Sequence, residues 1–487
     1  MNSVLLSVAQ MQEAERLTMA AGTTGFVLMQ RAGEAVAREI TRRYAPQPTA
    51  ILCGPGNNGG DGLVVAFELA KSGWPVRLAL YGDAGSLQGD ARMHAQRWAG
   101  GMEPLTPRVI ESAALVVDAL FGSGLNRRLD ARAIETLALA ERRGVPIIAI
   151  DTPSGVMGDS GESHGATRSN CTVTFMRKKP AHVLLPGRDL CGEVVIADIG
   201  IPAALLDMLS LNTWENDPAL WLDRLRPPNS SDNKYRRGHA LLYGGYPVTG
   251  AARMAGRAAA RIGAGLTTIA VPDQALAIYA AALTSIMVQP LREASDFERL
   301  LTDARYTAFL IGPGAGVNEG TQARALRMLQ TTKPVLLDAD AISAFAAQPE
   351  ALFQAIRGPC VITPHEGEFK RIFNAAGDKL SRARSAASRS GAVVVLKGSD
   401  TVIAAPDGRA IINSNAPPTL ATAGSGDVLG GLILGLLAQG MDAFHAAAAG
   451  AWLHGAAAAE FGPGLIAEDL PEQIPAVLRR LARDEYQ

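Results

Sequence analysis

Residues 50–62 read Ala50-Ile51-Leu52-Cys53-Gly54-Pro55-Gly56-Asn57-Asn58-Gly59-Gly60-Asp61-Gly62 and continue directly into the helical segment Leu63–Lys71. The apolar start predicts a short buried strand, and the glycine-rich turn leads into a helix. Such a turn presents backbone amides at the positive end of a helix, which suits a phosphate or another polar ligand. The plain alternative is a tight turn with positive φ, although one or two glycines are enough for that. The spacing is not GxGxxG, so it predicts no standard dinucleotide fingerprint.

Short apolar runs alternate with Ala-rich helical stretches along the whole chain. Most runs are continuously apolar, as expected for strands that are buried on both faces of a parallel sheet. In the first half the predicted strands are Ala50–Cys53, Val76–Leu80, Leu115–Asp118, Ile147–Asp151, Val173–Thr174 and Val194–Ile196. In the second half they are Ala240–Tyr243, Thr267–Val271, Phe309–Ile311, Val335–Leu337, Cys360–Ile362, Val393–Leu396 and Thr401–Ala404. The pattern predicts the α/β class, with parallel sheets covered by helices.

Charge and composition exclude several classes of partner. The 487 residues include 46 Lys and Arg and 47 Asp and Glu, so no global field attracts nucleic acid or an anionic membrane. Met1–Gln12 has no signal-peptide pattern, and the most apolar run, Val428–Leu437, is shorter than the roughly 20 residues of a spanning helix. Four scattered cysteines disfavour a zinc site or a disulfide framework: Cys53, Cys171, Cys191 and Cys360. We therefore expect a soluble cytoplasmic protein without nucleic-acid or membrane partners.

The length predicts two or three domains, since domains cluster at roughly 100–200 residues. The boundary is expected within Asn212–Arg237, because Arg226–Asp232 is a polar, proline-broken segment that cannot continue a helix or a strand. After this segment the alternation of strands and helices starts again. The sequence thus predicts two domains, at residues 1–213 and 224–487.

Polar loops follow three of the predicted strands in the first half. Asn58 lies in the glycine-rich turn, Asp118 ends the third strand, and Asp151 leads into Thr152-Pro153-Ser154-Gly155. In an open parallel sheet ligands bind at the carboxyl ends of strands, so Asn58, Asp118, Asp151 and Ser154 are expected to converge. Either acidic residue alone could equally be a helix N-cap.

Gly54–Gly62, the stretch Val117–Leu125 and Asp151–Gly155 together resemble the NAD(P)H-hydrate epimerase family over nearly all of residues 1–211. This resemblance implies a Rossmann-like αβα sandwich and a potassium site at Asn58, Asp118 and Ser154; oxygen ligands suit such a hard cation. Asp151 is the hypothetical acid/base group, acting as the hydrated carbon loses and regains its hydroxyl. By the same resemblance, the hydrate-binding residues are Asn57, Asn58, Gly59, Gly60, Asp61, Gly122, Ser123, Gly124, Leu125, Asn126, Arg127, Arg128 and Asp151.

The second half contains Thr422-Ala423-Gly424-Ser425-Gly426-Asp427 immediately before the apolar run. Its glycines leave amides free to form an anion hole at the start of a helix. Asp427 lies in the first turn of that helix, where it can accept a hydroxyl proton during phosphoryl transfer. The plain alternative is an N-capping Asp after a glycine turn. An N-capping role for Asp427 would not explain why both Gly424 and Gly426 are present.

Together with Lys234–His239, Thr249–Ala252, Gly263–Leu266 and Thr363–Glu368, this segment resembles the ribokinase-like superfamily, and within it the NAD(P)H-hydrate dehydratases, over residues 225–480. The resemblance implies that the hydrate hydroxyl is phosphorylated and that phosphate then leaves, with Mg²⁺ and with ADP, or less favourably ATP, as the donor. Asn415-Ala416-Pro417-Pro418 departs from the family's Gly-Asn-Pro. The implied hydrate contacts are Ala251, Gly316, His365 and Asp427; the implied nucleotide contacts are Lys397, Gly398, Ser399, Asp400, Thr401, Gly424, Ser425 and Gly426.

Two other functions stay open at this point. The second half could belong to a small-molecule kinase of the ribokinase superfamily, and the first half to a non-catalytic binding module. A kinase accumulates a phosphorylated alcohol, whereas a dehydratase releases free phosphate. The family resemblance also implies a homo-oligomer.

Overall fold

The fold was analysed in a computed structural model that describes residues 3–226 and 229–484. The chain divides into two compact units, Met1–Thr213 and Trp214–Gln487. Pro227 and Pro228, in the middle of the predicted linker, lie outside the described residues. Within the described ranges, no helix combines the length and the apolarity needed to cross a bilayer.

The first unit alternates strands with helices. In chain order its elements are α1 (Val8–Ala20), α2 (Gly25–Arg43), β1 (Thr49–Cys53), α3 (Asn57–Lys71), β2 (Val76–Leu80), α4 (Gly89–Ala95), β3 (Met102–Pro104), β4 (Leu115–Ala119), α5 (Ala131–Arg142), β5 (Ile147–Ile150), β6 (Cys171–Phe175), α6 (Gly187–Cys191) and β7 (Glu193–Ala197).

These strands form one seven-stranded sheet in the order β3-β2-β1-β4-β5-β6-β7, and all pairs are parallel. β1, β4, β5 and β6 are entirely buried, which explains their continuous apolar sequences. The order reverses next to β1, since β2 lies on one side of it and β4 on the other. The loops after β1 and β4 therefore open a crevice at the carboxyl edge, where ligands bind in such sheets.

The second unit has the same alternation. Its elements are β8 (Thr213–Glu215), which starts at the boundary, β9 (His239–Tyr243), α7 (Gly250–Arg261), β10 (Leu266–Pro272), α8 (Leu276–Ala282), β11 (Met287–Leu291), α9 (Ala294–Thr302), β12 (Ala308–Ile311), α10 (Glu319–Leu329), β13 (Val335–Leu337), α11 (Ala339–Ser343), α12 (Pro349–Ala355), β14 (Cys360–Ile362), α13 (Glu366–Ile372), α14 (Lys379–Ser390), β15 (Val393–Leu396), β16 (Thr401–Ala404), β17 (Ala410–Asn413), α15 (Ser425–Ala438), α16 (Ala443–Phe461) and α17 (Asp469–Asp484).

A ten-stranded sheet runs through this unit in the order β11-β10-β9-β12-β13-β14-β15-β16-β17-β8. It is parallel from β11 to β15 and continues with the antiparallel pairs β15–β16 and β16–β17. The mostly buried helices α15 and α16 supply much of the core. Gly431 of α15 lies so close to α7 that an added Cβ would stand 2.1 Å from the Ala255 carbonyl oxygen.

The predicted α/β class is confirmed, since each unit has a sheet of mostly parallel strands that alternate with helices along the chain. Every predicted strand is present to within about two residues at each end. The prediction missed four strands: β3, β8, β11 and β17. The second unit also begins at Trp214, ten residues before the predicted start at 224. The reason is physical, since Trp221 is fully buried in the core of this unit.

Candidate active sites

The glycine-rich loop after β1 and the loops after β4 and β5 line one cavity of about 210 Å³ in the first unit. Gly56 is the N-cap of α3, so Asn57 and Asn58 lie in the first helical turn. The predicted residues in its wall are Asn57, Asn58, Asp61, Gly122, Ser123, Gly124 and Asp151. A neighbouring cavity of about 420 Å³ is lined by Leu125, Asn126 and Arg127 and shares Asn57, Asn58, Gly122 and Gly124 with the first.

Asp151 lies at the end of β5 in a left-handed backbone conformation with φ +67°. This conformation is uncommon for a residue other than glycine and aims the carboxylate away from the strand. Its Oδ2 accepts a hydrogen bond from the Ser123 amide at 2.9 Å, and its Oδ1 accepts one from the Thr174 hydroxyl at 3.0 Å. The Lys179 ammonium lies 2.6 Å from the same Oδ1. Asp151 is therefore held from several sides.

Burial alone would raise the pKa of Asp151, but the Lys179 ammonium and the hydrogen bonds from Lys179 and Ser123 hold it below its usual range. Asp151 is therefore ionised at neutral pH and can accept a proton or stabilise a nearby cation. Lys179, which the sequence prediction missed, is almost completely buried. It follows β6 in the run Arg177-Lys178-Lys179-Pro180, which looks like a solvated basic loop.

Asp118, in β4, and Ser154, in the loop after β5, form a second polar cluster. The Ser154 hydroxyl and amide donate to the Asp118 carboxylate at 2.6 and 2.8 Å, and the Leu120 amide donates at 3.3 Å. Burial raises the pKa of Asp118, although these hydrogen bonds oppose the rise. No ion pair to Asp118 occurs among the residues that the structure describes. The cluster is thus a buried set of oxygen ligands without a cationic partner.

Asp61 and Glu15 bring further acidic groups to the cavity wall. Burial raises the pKa of Asp61 well above its usual value, and the nearby charges of Asp151 and Glu15 add to the rise. The pKa of Glu15 is also raised, mainly by burial. Asp151 and Asp61 therefore favour opposite protonation states, a combination that suits acid/base chemistry.

Three predicted hydrate contacts do not line either cavity. Gly59 and Gly60 are needed for packing: an added Cβ would stand 1.9 Å from the Gly54 carbonyl oxygen and 2.4 Å from the Met29 sulfur, respectively. Arg128 is exposed. The structure describes no contact that brings these three residues to the Asp151 carboxylate.

In the second unit, a cavity of about 420 Å³ lies between the β15–β16 loop, the start of α15 and α16. The predicted residues in its wall are His365, Lys397, Gly398, Ser399, Thr401, Ser425 and Gly426. Ala416 and Pro417, from the segment that departs from the family pattern, add apolar surface beside Leu429. The cavity wall therefore combines polar and apolar groups, as for a nucleotide with phosphates and a base.

Gly424 precedes α15 with φ +86°, a left-handed conformation that glycine adopts without strain. The amides of Gly426 and Asp427 in the first turn donate to no acceptor within residues 3–226 and 229–484. Free first-turn amides at the positive end of a helix favour an anionic ligand.

Burial raises the pKa of Asp427 to about 7, and the negative charges of Asp338, Asp340 and Glu368 add to the rise, while Lys397 opposes it. A carboxylate with a pKa near neutrality can both accept and release a proton at physiological pH. Asp427 is therefore suited to act as a general base.

The Lys397 ammonium lies near two carboxylates, those of Asp338 and Glu368. Its Nζ is 2.8 Å from Asp338 Oδ1 and 3.8 Å from Glu368 Oε2, and the Thr363 hydroxyl also donates to Asp338. Burial would lower the pKa of Lys397, but Asp338 and Glu368 raise it, so the ammonium stays charged. An anion bound at the Gly426 amide would lie near this ammonium, since an added Cβ at Gly426 would stand 3.6 Å from its Nζ.

Five predicted contacts of the second unit do not line this cavity: Ala251, Gly316, Asp400, Gly424 and Asp427. The Gly316 amide donates a hydrogen bond to Asp340 Oδ2 at 2.9 Å, and Asp340 is one of the carboxylates that raise the pKa of Asp427. The Lys379 ammonium donates a hydrogen bond to Asp400 Oδ1 at 2.5 Å. Ala251 lies in the first turn of α7. The prediction missed His454 of α16, a buried cavity residue whose Nε2 has no partner in the described part of the chain.

The fold and the two cavities define a two-domain α/β protein with one polar site at the carboxyl edge of each sheet. A family model described as YjeF-related protein N-terminus matches residues 25–181, and one described as NAD(P)H-hydrate dehydratase matches residues 240–476. The bifunctional NAD(P)H-hydrate repair enzyme Nnr of Moorella thermoacetica is 37% identical over 99% of this chain and 97% of its own. That of Salinibacter ruber is 35% identical over 97% and 96%. The chain belongs to the family of bifunctional NAD(P)H-hydrate repair enzymes.

Among solved structures, ADP/ATP-dependent NAD(P)H-hydrate dehydratase from Bacillus subtilis, co-crystallised with ATP/Mg²⁺, is 30% identical. The match covers 52% of this chain and 94% of that chain, with a TM-score of 0.47.

Proposed function

We propose that this chain repairs hydrated NADH and NADPH with two activities. Residues 1–213 interconvert the R and S forms of the hydrate. Residues 224–487 dehydrate the S form to NAD(P)H at the expense of ADP, and less favourably ATP, releasing AMP and phosphate when ADP is the donor. The observation that carries the proposal is the similarity to named repair enzymes over 97–99% of the chain, across both units.

In the first unit, Asp151 is the acid/base group. The hydrated carbon carries a hydroxyl and is bonded to the ring nitrogen, so loss of the hydroxyl gives a planar iminium and its return to the other face inverts the centre. The ionised Asp151 can accept the proton of the returning water. Asn57, Asp61 and Ser123 in the same wall would orient the ring.

Asp118 and Ser154 would hold a potassium ion, a proposal supported by the oxygen neighbours of the buried carboxylate and by its having no cationic partner among the described residues. Asn58 would complete this set. Potassium would supply positive charge near the reacting ring. Exchange of a single epimer should then be faster in potassium chloride than in choline chloride.

In the second unit, Asp427 accepts the proton of the hydrate hydroxyl as its oxygen attacks the terminal phosphoryl group of the nucleotide. The bond between that phosphorus and the bridging oxygen breaks, and AMP leaves when ADP is the donor. The ring nitrogen then supplies the electron pair that expels phosphate from the carbon. Loss of a proton from the neighbouring ring carbon restores the C=C bond of NAD(P)H.

The nucleotide would bind along the Lys397–Thr401 loop, with its phosphates at the Gly426 amide and its base against the apolar residues of the same cavity wall. Among the described residues, no three acidic, His or Cys side chains converge as a metal site. Mg²⁺ would therefore be held chiefly by the phosphates, with Asp338 or Asp340 nearby, as is usual for this cation. It would neutralise charge on the transferred phosphoryl group.

Product analysis tests the proposal against the kinase alternative. We expect NADH, AMP and free phosphate in equal amounts from the S hydrate and ADP. Accumulation of a stable phosphorylated alcohol would instead identify a ribokinase-like kinase. A homo-oligomeric state and a cytoplasmic location stay predictions from the sequence.

A further inference from the structure

The Lys179 side chain has an unused hydrogen-bond donor. Its Nζ donates to Asp151 Oδ1 at 2.6 Å and to the Thr174 hydroxyl at 2.8 Å. An ammonium has three N–H donors, and the third meets no acceptor among the described residues. The side chain is only 1% exposed, so bulk water does not satisfy this donor. A buried donor of this kind is costly unless a ligand or an ordered water accepts from it.

The unused donor belongs to the wall of the cavity of about 210 Å³, which Lys179 shares with Asp151 and Ser123. Asp151 adds an acceptor there: its Oδ1 accepts from Thr174 and Lys179, whereas among the described residues its Oδ2 accepts from Ser123 alone. A donor and an acceptor side by side are complementary to a hydroxyl group, which both accepts and donates. The pair therefore fits the hydroxyl of a hydrate better than a carbonyl or a cation.

His182 fixes the backbone of this pair. The Lys179 amide donates to His182 Nδ1 at 2.8 Å, and His182 Nε2 lies 2.8 Å from the Asp151 carbonyl oxygen. Nδ1 accepts, so Nε2 carries the proton and donates to that carbonyl. Burial and the charge of Lys179 lower the pKa of His182 to about 4, which keeps the ring neutral and this arrangement intact. The two reactive side chains are thus held in fixed positions before a ligand arrives.

We propose that Lys179 is a catalytic residue of the epimerase site and donates its third N–H to the hydroxyl oxygen on the hydrated ring carbon. This inference rests on the proposed epimerase function. Lys179 transfers that proton as the C–O bond breaks, both bonding electrons stay on oxygen, and water leaves. The lone pair of the ring nitrogen forms the C=N bond. Water then adds to the other face, the C=N electrons return to nitrogen, and the proton that the water loses returns to the Lys179 amine through Asp151.

Lys179→Arg separates proton donation from charge balance. Arginine keeps the positive charge beside Asp151 but does not release its proton. We expect kcat for conversion of one purified NADH-hydrate epimer to fall at least about 100-fold, with KM changed much less. Dehydration of the S hydrate by the same preparation, and its melting temperature, report folding of the two units. Lys178→Arg, one position earlier, is the matched control and should keep the wild-type rate.

Lys179→Cys provides a second test that does not require arginine to fit. Treatment with 2-bromoethylamine converts the cysteine into a lysine analogue, and mass spectrometry establishes that position 179 is alkylated and that the four native cysteines are not. Return of epimerisation on alkylation, without a change in melting temperature, supports the proposal.

Two results would overturn the assignment: wild-type kcat in Lys179→Arg, or no return of activity in alkylated Lys179→Cys that has a native melting temperature. If the wild-type chain itself fails to interconvert the epimers, the proposed epimerase function is wrong, and the role of Lys179 falls with it.

Discussion

Asp427 and Asp151 are both buried carboxylates, but their neighbours shift their pKa values in opposite directions. Burial and three other carboxylates raise the pKa of Asp427 to about 7, whereas Lys179 keeps that of Asp151 below its usual range. Glycine patterns and strand ends were sufficient to select both residues from the sequence. Lys179 was not predicted, because it stands in a run that reads as basic and solvated, and its burial in a cavity wall beside residues of α1 is a tertiary property.

The pKa of Asp427 predicts a pH dependence for the dehydratase. Asp427 must be ionised to accept a proton, so kcat/KM should fall as the pH decreases through about 7 and level off above it. The epimerase rate of the same chain reports whether the protein stays folded; Asp151 stays ionised over this range, whereas the raised pKa of Asp61 gives the epimerase a pH dependence of its own. Stopped assays between pH 5.5 and 8.5 measure both rates. A dehydratase rate that is flat across this range contradicts the role of Asp427 as the base.

Asp151→Asn should abolish catalysed inversion while the hydrate still binds. The amide keeps the size of the side chain but cannot take up the proton. We expect a loss of about 100-fold or more in the exchange of one epimer, measured by chromatography, with dehydration of the S hydrate unchanged. Full epimerisation by this variant would remove Asp151 from the mechanism.

At the scale of elements, most buried strands were predicted well because their sequences are continuously apolar; β17 is the exception, since it is entirely buried but was missed. Strands β3, β8 and β11 were missed for a physical reason: each is short or polar, lies at or near a sheet edge, and is only partly buried. Their pairing depends on the neighbouring strand, which a local pattern does not contain. The close contact between α15 and α7 likewise depends on glycines whose partners are distant in sequence.

Gly431→Ala should destabilise the second unit, because its Cβ would stand 2.1 Å from the Ala255 carbonyl oxygen and would force α15 away from α7. Overpacking of this kind costs about 1–3 kcal/mol of unfolding free energy. Gly430→Ala is the matched control in the same helix, since the nearest atom to its Cβ is 3.5 Å away. Urea unfolding measures both. Equal stability of the two variants would show that the helices are not in such close contact.

At the scale of the whole molecule, each unit has its own sheet and its own site. A dehydratase that accepts one epimer leaves the other unused, and an epimerase in the same chain converts the unused form. This functional logic explains the fusion without requiring a shared site. The predicted end of the first domain, residue 213, is also the end of the first unit, whereas the predicted start of the second domain at 224 left out Trp221, whose burial is a tertiary property.

Separate expression of Met1–Thr213 and Trp214–Gln487 tests this independence. We expect the first fragment to interconvert epimers and the second to dehydrate the S hydrate, each at a rate within a few-fold of the intact chain. A fragment that is folded by circular dichroism but inactive would mean that one site requires the other unit.

The most direct test of the account is the recovery of NADH absorbance from a mixture of both NADH-hydrate epimers, with ADP, with ATP and with neither. We predict full recovery with ADP, and none beyond the uncatalysed rate without nucleotide. Recovery that slows sharply once the S form is consumed would contradict the epimerase assignment. No recovery with either nucleotide would contradict the repair function as a whole.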